Sequence, residues 1–311
     1  VATEPADLAV VRRRAWRRRG GFVAGVLVLA FLAYALADGW SSASDYDWDI
    51  EPWLLVLGCL VLLLFYLASG LAYGAILDRL HHPGPPARLT LSIWARSLLG
   101  RYVPGNVLMV LGRVVLSQEA GVPRRVSLAA TVYEQALSIG VAAIGAVVFL
   151  AGYRHGREDA RLWLLILVPL CLMLLHPRIF GPLSSKVLRR LGREPLARLL
   201  GPRPLAALLA CYIGAAILLS VGVWLLVRSA AGPQAGGPAF VGLAFLLSFV
   251  ISMVAFVFPS GLGVREGAFA LALAQNVPSS VAVALSVGVR LVLTLVELAF
   301  VAAVVLVERR R

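Results

Sequence analysis

Six runs of apolar residues, at about 21–37, 53–77, 126–151, 162–180, 204–228 and 279–307, dominate this chain of 311 residues. A helix needs about 20 apolar residues to cross a hydrocarbon layer about 30 Å thick, and most of these runs approach or exceed that length. Only helices and closed barrels satisfy their backbone groups inside a bilayer, and runs this continuous read as helices. The expected fold is an all-α polytopic membrane protein. A hydrophobic share of 60% and a charged share of 14% agree with it. The fourth run is the shortest: Leu162–Leu175 supplies fourteen residues around Pro169 and must extend toward Phe180 to span.

Two more regions, about 87–118 and 239–275, are apolar but interrupted, and they resemble each other. The first carries Arg101-Tyr-Val-Pro104-Gly105-Asn106, then Gly112-Arg113, and reaches Pro123. The second carries Pro259-Ser-Gly261-Leu-Gly263-Val-Arg265-Glu266-Gly267 and reaches Pro278. In both, the two prolines stand 19 residues apart, a glycine follows the first by 8, and a long apolar run comes next. Pro104 and Pro259 each remove a backbone donor and break a helix. Gly261 and Gly263 let the chain bend, and Gly105, Gly112 and Gly267 are grouped with them as hinge candidates. Duplicated, broken apolar segments point to a transporter with its substrate site at a repeat interface.

If the six clean runs cross and the two broken regions enter and leave on one side, the loops can be sorted by charge. Twenty Lys and Arg residues then face one side and four the other, while the loop holding Asp45, Asp47 and Asp49 is acidic. The positive-inside rule places both termini in the cytoplasm. Each half has three crossings, an odd number, so the halves are inverted. The expectation is about six transmembrane helices plus two re-entrant helical hairpins arranged as inverted repeats. A basic segment 1–20 precedes one membrane domain, 21–307, with halves of about 21–151 and 162–307, and a basic tail 308–311 follows. The basic N-terminus and Phe22–Ala37 also resemble a secretory signal peptide; an uncleaved span is favoured, because cleavage breaks the symmetry.

Charges inside apolar sequence cost about 2.5–3.5 kcal/mol each on insertion scales, so they need partners or a wet cavity. The candidates for substrate binding are Arg101, Asn106, Arg113, Glu134, Arg265, Glu266, Arg290 and Glu297. Arg290 and Glu297 stand two helical turns apart on one face and can line one cavity. Glu134 occupies in the first half nearly the place of Arg290 in the second, which makes a Glu134–Arg290 pair geometrically conceivable. Guanidinium groups match phosphate oxygens in bidentate fashion, so the set suits an anion. Internal salt bridges between helices are the competing reading. Arg96 and Arg101 can also reach the cytoplasmic headgroups, and Glu119 reads as a solvated interface charge.

Other chemistries find little support. A net charge of +13 suits nucleic acid, but the basic residues sit in short loops beside apolar spans, as lipid-facing anchors do. Cys59, Cys171 and Cys211 lie in apolar runs and form no CxxC pair. His81-His82 precede a Pro/Gly-rich turn and have no third ligand at metal spacing. No cofactor and no catalytic constellation is expected.

The Pro259-Ser-Gly-Leu-Gly-Val-Arg-Glu-Gly-Ala-Phe stretch resembles the membrane domain of the lysylphosphatidylglycerol synthase/flippase family. Arg96-Ser-Leu-Leu-Gly-Arg-Tyr-Val-Pro-Gly-Asn, running into Gly112-Arg113, is similar to that family's first motif, and Tyr133-Glu134-Gln135 sits where members often show a Glu-Arg-like pair. The resemblance spans roughly 20–307. It implies a helical membrane protein with re-entrant segments that moves aminoacylated phospholipid between leaflets; relatives act on other lipids, including polyprenyl-linked sugars. These residues hold no counterpart of the cytosolic aminoacyl-transferase domain, so synthase activity is not expected. Asn106 stands where many members carry an acidic residue, which leaves the substrate open. The resulting expectation is a non-enzymatic lipid flippase of the cell membrane, moving an anionic or aminoacylated phospholipid or a polyprenyl-phosphate-linked glycan. Its partners are membrane lipids, with a homo-oligomer left open. The alternative is a membrane enzyme or accessory subunit acting on lipid-linked sugars.

Overall fold

The computed structural model describes residues 46, 48, 50–102, 107–153, 182, 185, 186, 189, 199–254 and 263–309. The expected spans at 21–37 and 162–180 lie outside the described residues, as do Pro104, Gly105, Asn106, Pro259 and Gly261.

Among the described residues the chain is helical throughout, and proline marks where most helices begin. Helix α1 (Pro52–Leu80) has proline in its first turn, where the missing N–H costs no hydrogen bond. Helices α2 (Ala87–Leu98) and α3 (Val107–Glu119) follow, with a 3-10 turn over Leu99–Tyr102 closing α2. Then comes α4 (Arg124–Tyr153), directly after Pro123. Helix α5 (Pro202–Ala231) again starts on proline and stops at Gly232, whose φ of 69° suits glycine at a helix end. Helices α6 (Pro238–Val254), α7 (Val264–Leu273) and α8 (Ser279–Arg309) complete the order.

Four described helices, α1, α4, α5 and α8, are long and apolar enough to cross a membrane. The others are not. At about 1.5 Å per residue, α2 and α3 each reach about 18–20 Å and α7 about 15 Å, short of the hydrocarbon thickness. Among the eight helices described above, the order is long, short, short, long, twice over, with the short pairs falling on the two broken motifs.

Packing repeats the same order. Exchange α1 with α5, α2 with α6, α3 with α7 and α4 with α8, and every packed helix pair finds its counterpart: α4 lies on α6 as α8 lies on α2, and α5 lies on α4 as α1 lies on α8. The helices that exchange most directly, α1 and α5, form the most extensive pair. They run antiparallel, since the Glu51 amide at the start of α1 donates to the Ser229 carbonyl near the end of α5, at 2.8 Å. Small residues let them close up. A Cβ on Gly222 would stand 2.7 Å from Leu62 Cγ, and one on Gly58 would stand 3.2 Å from the Gly222 carbonyl oxygen. Close contact through small residues is how helices associate where surrounding lipid removes the hydrophobic drive.

Outward faces are apolar: Leu60, Leu64, Leu67 and Leu71 form an exposed stripe along α1. Charge goes inward instead, with Arg113, Glu134, Glu266 and Glu297 all buried. That is the distribution of a protein whose solvent is hydrocarbon.

Candidate functional site

The inward charges organise around a central cavity of about 240 Å³. Arg101, Glu134, Arg265, Arg290 and Glu297 all line it, so five of the charged residues expected from the sequence share one space. They reach it from different elements: Arg101 from the turn that ends α2, Glu134 from α4, Arg265 from the first turn of α7, and the other two from α8. Arg290 and Glu297 do line one wall together, as their two-turn spacing on α8 allows. Ser69, Gln135, Ser138, Ser252 and Thr294 add neutral polar groups, and Phe65, Leu219 and Phe249 add apolar wall.

Three ion pairs secure the carboxylates. Glu134 takes a hydrogen bond from Trp94 Nε1 at 2.7 Å on one oxygen and the Arg113 guanidinium on the other. Arg113 is fully buried at 0% exposure. Its Nε donates to Ser97 Oγ at 3.0 Å and its charge rests over the Tyr73 ring at 4.6 Å. The Glu134–Arg290 pair that the sequence made conceivable does not form: Arg290 meets Glu266 instead. Arg113, twenty-one residues before Glu134 in the chain, reaches the carboxylate first, because the α3–α4 turn folds those helices together. Arg113 accordingly does not line the cavity; it sits behind the wall and supports Glu134.

Glu297 accepts from Arg101 Nη1 at 2.8 Å and from the Tyr66 hydroxyl at 3.0 Å, both on Oε2. The carboxylate is buried, yet Oε1 has no hydrogen-bond partner among the described residues. Glu266 caps its own helix: Oε2 accepts the Gly263 amide at 2.8 Å, and Oε1 lies 3.5 Å from Arg290 Nε. Gly263 has a φ of 79°, a conformation that glycine adopts without strain. Gly112 and Gly267, by contrast, lie inside α3 and α7 with open space where a side chain would stand. They mark no break.

Arg265 differs from the other three arginines. It has no ion pair or hydrogen bond among the described residues, and its buried Nε is unpartnered. What it has is aromatic cover, with Phe245 and Phe249 centroids 4.3 Å and 5.6 Å from the guanidinium carbon. Ring faces offset part of the cost of a desolvated cation, but accept none of its five N–H donors in a conventional hydrogen bond.

Beyond the cavity, Arg96 and Ser92 both bond Glu308, holding the end of α8 against α2. Glu119 is exposed at the end of α3, consistent with a solvated charge. Among the described residues no group of three potential ligands is placed to hold a metal ion.

Trp94, Ser97, Tyr66, Tyr212 and the two phenylalanines were not singled out by sequence. One signal was available: Trp94, Ser97 and Arg101 are spaced three and four apart, which reads as one helical face, although Arg101 falls in the turn that closes α2.

The chain has a family match that agrees with this geometry: residues 19–300 fit the model of the lysylphosphatidylglycerol synthase TM region. The chain belongs to that family. It is a multi-pass membrane protein of a lineage named for lysylphosphatidylglycerol, as the two broken motifs implied. No curated protein matches the chain significantly.

Proposed function

We propose that the protein is a lipid flippase, moving an anionic or aminoacylated phospholipid, or a polyprenyl-phosphate-linked glycan, between the leaflets of the cell membrane. The observation that carries this reading is a cavity lined by charged side chains from both the long and the short helices, with a guanidinium, Arg265, that has no ion pair among the described residues. Charged side chains gathered around a space between such helices serve a polar cargo; a headgroup with acyl chains trailing between helices is such a cargo.

The architecture proposed with it is an inverted repeat. Its support is the exchange symmetry of helix packing together with the antiparallel run of α1 and α5. In that arrangement the α2–α3 pair opens toward the end that carries Arg79, Arg88, Arg124 and Arg203. The α6–α7 pair opens toward the end of Glu51, where Asn276 Nδ2 meets the Ala235 carbonyl. The basic end is assigned to the cytoplasm, and the two broken segments then meet at the cavity from opposite leaflets, as alternating access requires. No covalent step is assigned to the protein, and its partners are membrane lipids.

Reconstitution tests the reading. In liposomes carrying headgroup-labelled phosphatidylglycerol, lysyl-phosphatidylglycerol or polyprenyl-phosphate sugar, the protein should accelerate exchange of at least one lipid between leaflets over protein-free vesicles. Folded protein that moves none of them would sink the proposal.

A further inference from the structure

The charge balance of the cavity names its headgroup more narrowly, and this deepens the flippase reading and rests on it. Four arginines and three glutamates form the central network. Each carboxylate is already engaged: Glu134 by Arg113 and Trp94, Glu266 by Arg290 and the Gly263 amide, Glu297 by Arg101 and Tyr66. The described network therefore carries one uncompensated positive charge, at Arg265. The two broken tips, 103–106 and 255–262, contain no charged residue that would alter the sum.

Two further cavity-lining residues carry a buried polar atom without a partner among the described residues: Glu297, at Oε1, on α8, and Tyr212, at its hydroxyl, on α5, the residues being 2% and 4% exposed. The first can only accept a hydrogen bond; the second can give or take one. Buried polar atoms left unpaired are costly, and a ligand hydroxyl supplies what both lack. An ammonium group could reach Glu297 Oε1, but each carboxylate already has a guanidinium against it, so the ammonium would leave a second positive charge uncompensated. The volume sets the scale. At about 240 Å³ the cavity is smaller than the about 300–1,000 Å³ of sites for drug-sized ligands, so it admits a headgroup and leaves acyl or prenyl chains outside.

We infer that the cavity binds a hydroxylated phosphodiester of net charge −1, its phosphate on Arg265 and its hydroxyls toward Glu297 and Tyr212. Phosphatidylglycerol and a monophosphate-linked polyprenyl sugar share this chemistry; cationic aminoacylated lipid does not.

Binding to purified, detergent-solubilised protein tests the inference without requiring transport. The probes are phosphatidylglycerol, polyprenyl-monophosphate sugar, polyprenyl-diphosphate sugar, lysyl-phosphatidylglycerol and phosphatidylmethanol, a monoanion lacking a headgroup hydroxyl. One of the first two is expected to bind about tenfold or more tightly than lysyl-phosphatidylglycerol, the factor set by a charge-assisted hydrogen bond, and which of them does so identifies the source. Phosphatidylglycerol should outbind phosphatidylmethanol, and Tyr212→Phe should narrow that gap. Arg265→Gln should erase the preference for monoanions, while Arg265→Lys, which keeps the charge, should retain it. Glu297→Gln raises the network charge to two and should shift preference toward the diphosphate. Lysyl-phosphatidylglycerol binding as tightly as either monoanion would overturn the inference, as would an unchanged preference in folded Arg265→Gln protein. Selective binding with no movement of any lipid in liposomes would instead defeat the flippase reading alone.

Discussion

Arg113 and Arg265 are both guanidinium groups removed from water inside one protein, and they do different work. Arg113 meets Glu134, Ser97 and the Tyr73 face, so its charge is already matched. Breaking such a buried pair from one side leaves a charge with no partner, at about 3–5 kcal/mol. Glu134→Ala should therefore lower the melting temperature of the detergent-solubilised protein markedly. An Arg113→Met, Glu134→Leu double substitution should recover much of the loss, because it removes both charges. If the double variant melts no higher than the single ones, the pair holds more than its own charges. Arg265 has no carboxylate to orphan. Its removal should leave the melting temperature close to that of the parent protein while lipid binding falls, a separation that thermal and binding measurements on one sample can resolve.

At the scale of elements, glycines of similar sequence context have different jobs. Gly263 opens α7 with φ 79°, where a side chain costs about 1–2 kcal/mol. Gly267, four residues later, faces open space, and alanine there gains up to about 1 kcal/mol in helix propensity. Gly263→Ala should destabilise and Gly267→Ala should be neutral or stabilising, as read from paired thermal melts; the reverse order would mean that α7 is not built as described. Gly222 is a third case. At the α1–α5 contact a larger residue must displace Leu62, and overpacking of this kind costs about 1–3 kcal/mol. Gly222→Val should thus loosen the central helix pair, detectable as faster proteolysis in the loops that flank it.

The whole molecule is tied together at α8. Arg290 bonds the first turn of α7 and Glu297 bonds the turn closing α2, so one span holds both broken pairs. The inverted arrangement predicts that exposed positions at the open ends of the α2–α3 and α6–α7 pairs lie on opposite membrane faces. In a protein with Cys59, Cys171 and Cys211 replaced by serine, Arg88→Cys and Gln275→Cys should react with an impermeant thiol reagent from opposite sides of sealed, oriented vesicles. Labelling of both from one side would remove the inverted repeat and the access pathway built on it.

Much of this protein could be read from local sequence. Apolar run length sets what enters a bilayer, because each residue's transfer free energy is nearly independent of distant neighbours. The positions of Pro52, Pro202 and Gly263 set where helices start, since these residues act on their own backbone. The same insertion cost marked Arg113, Glu134, Arg265 and Glu297 as charges that must find company. Which company was not legible. Arg101 and Glu297 are 196 residues apart in the chain and 2.8 Å apart in space, and ion pairing falls off too steeply with distance for spacing along a sequence to predict it. Only the packing of the helices decided that Glu134 would take Arg113 rather than Arg290, and that Arg265 would be the cation left without a counter-charge.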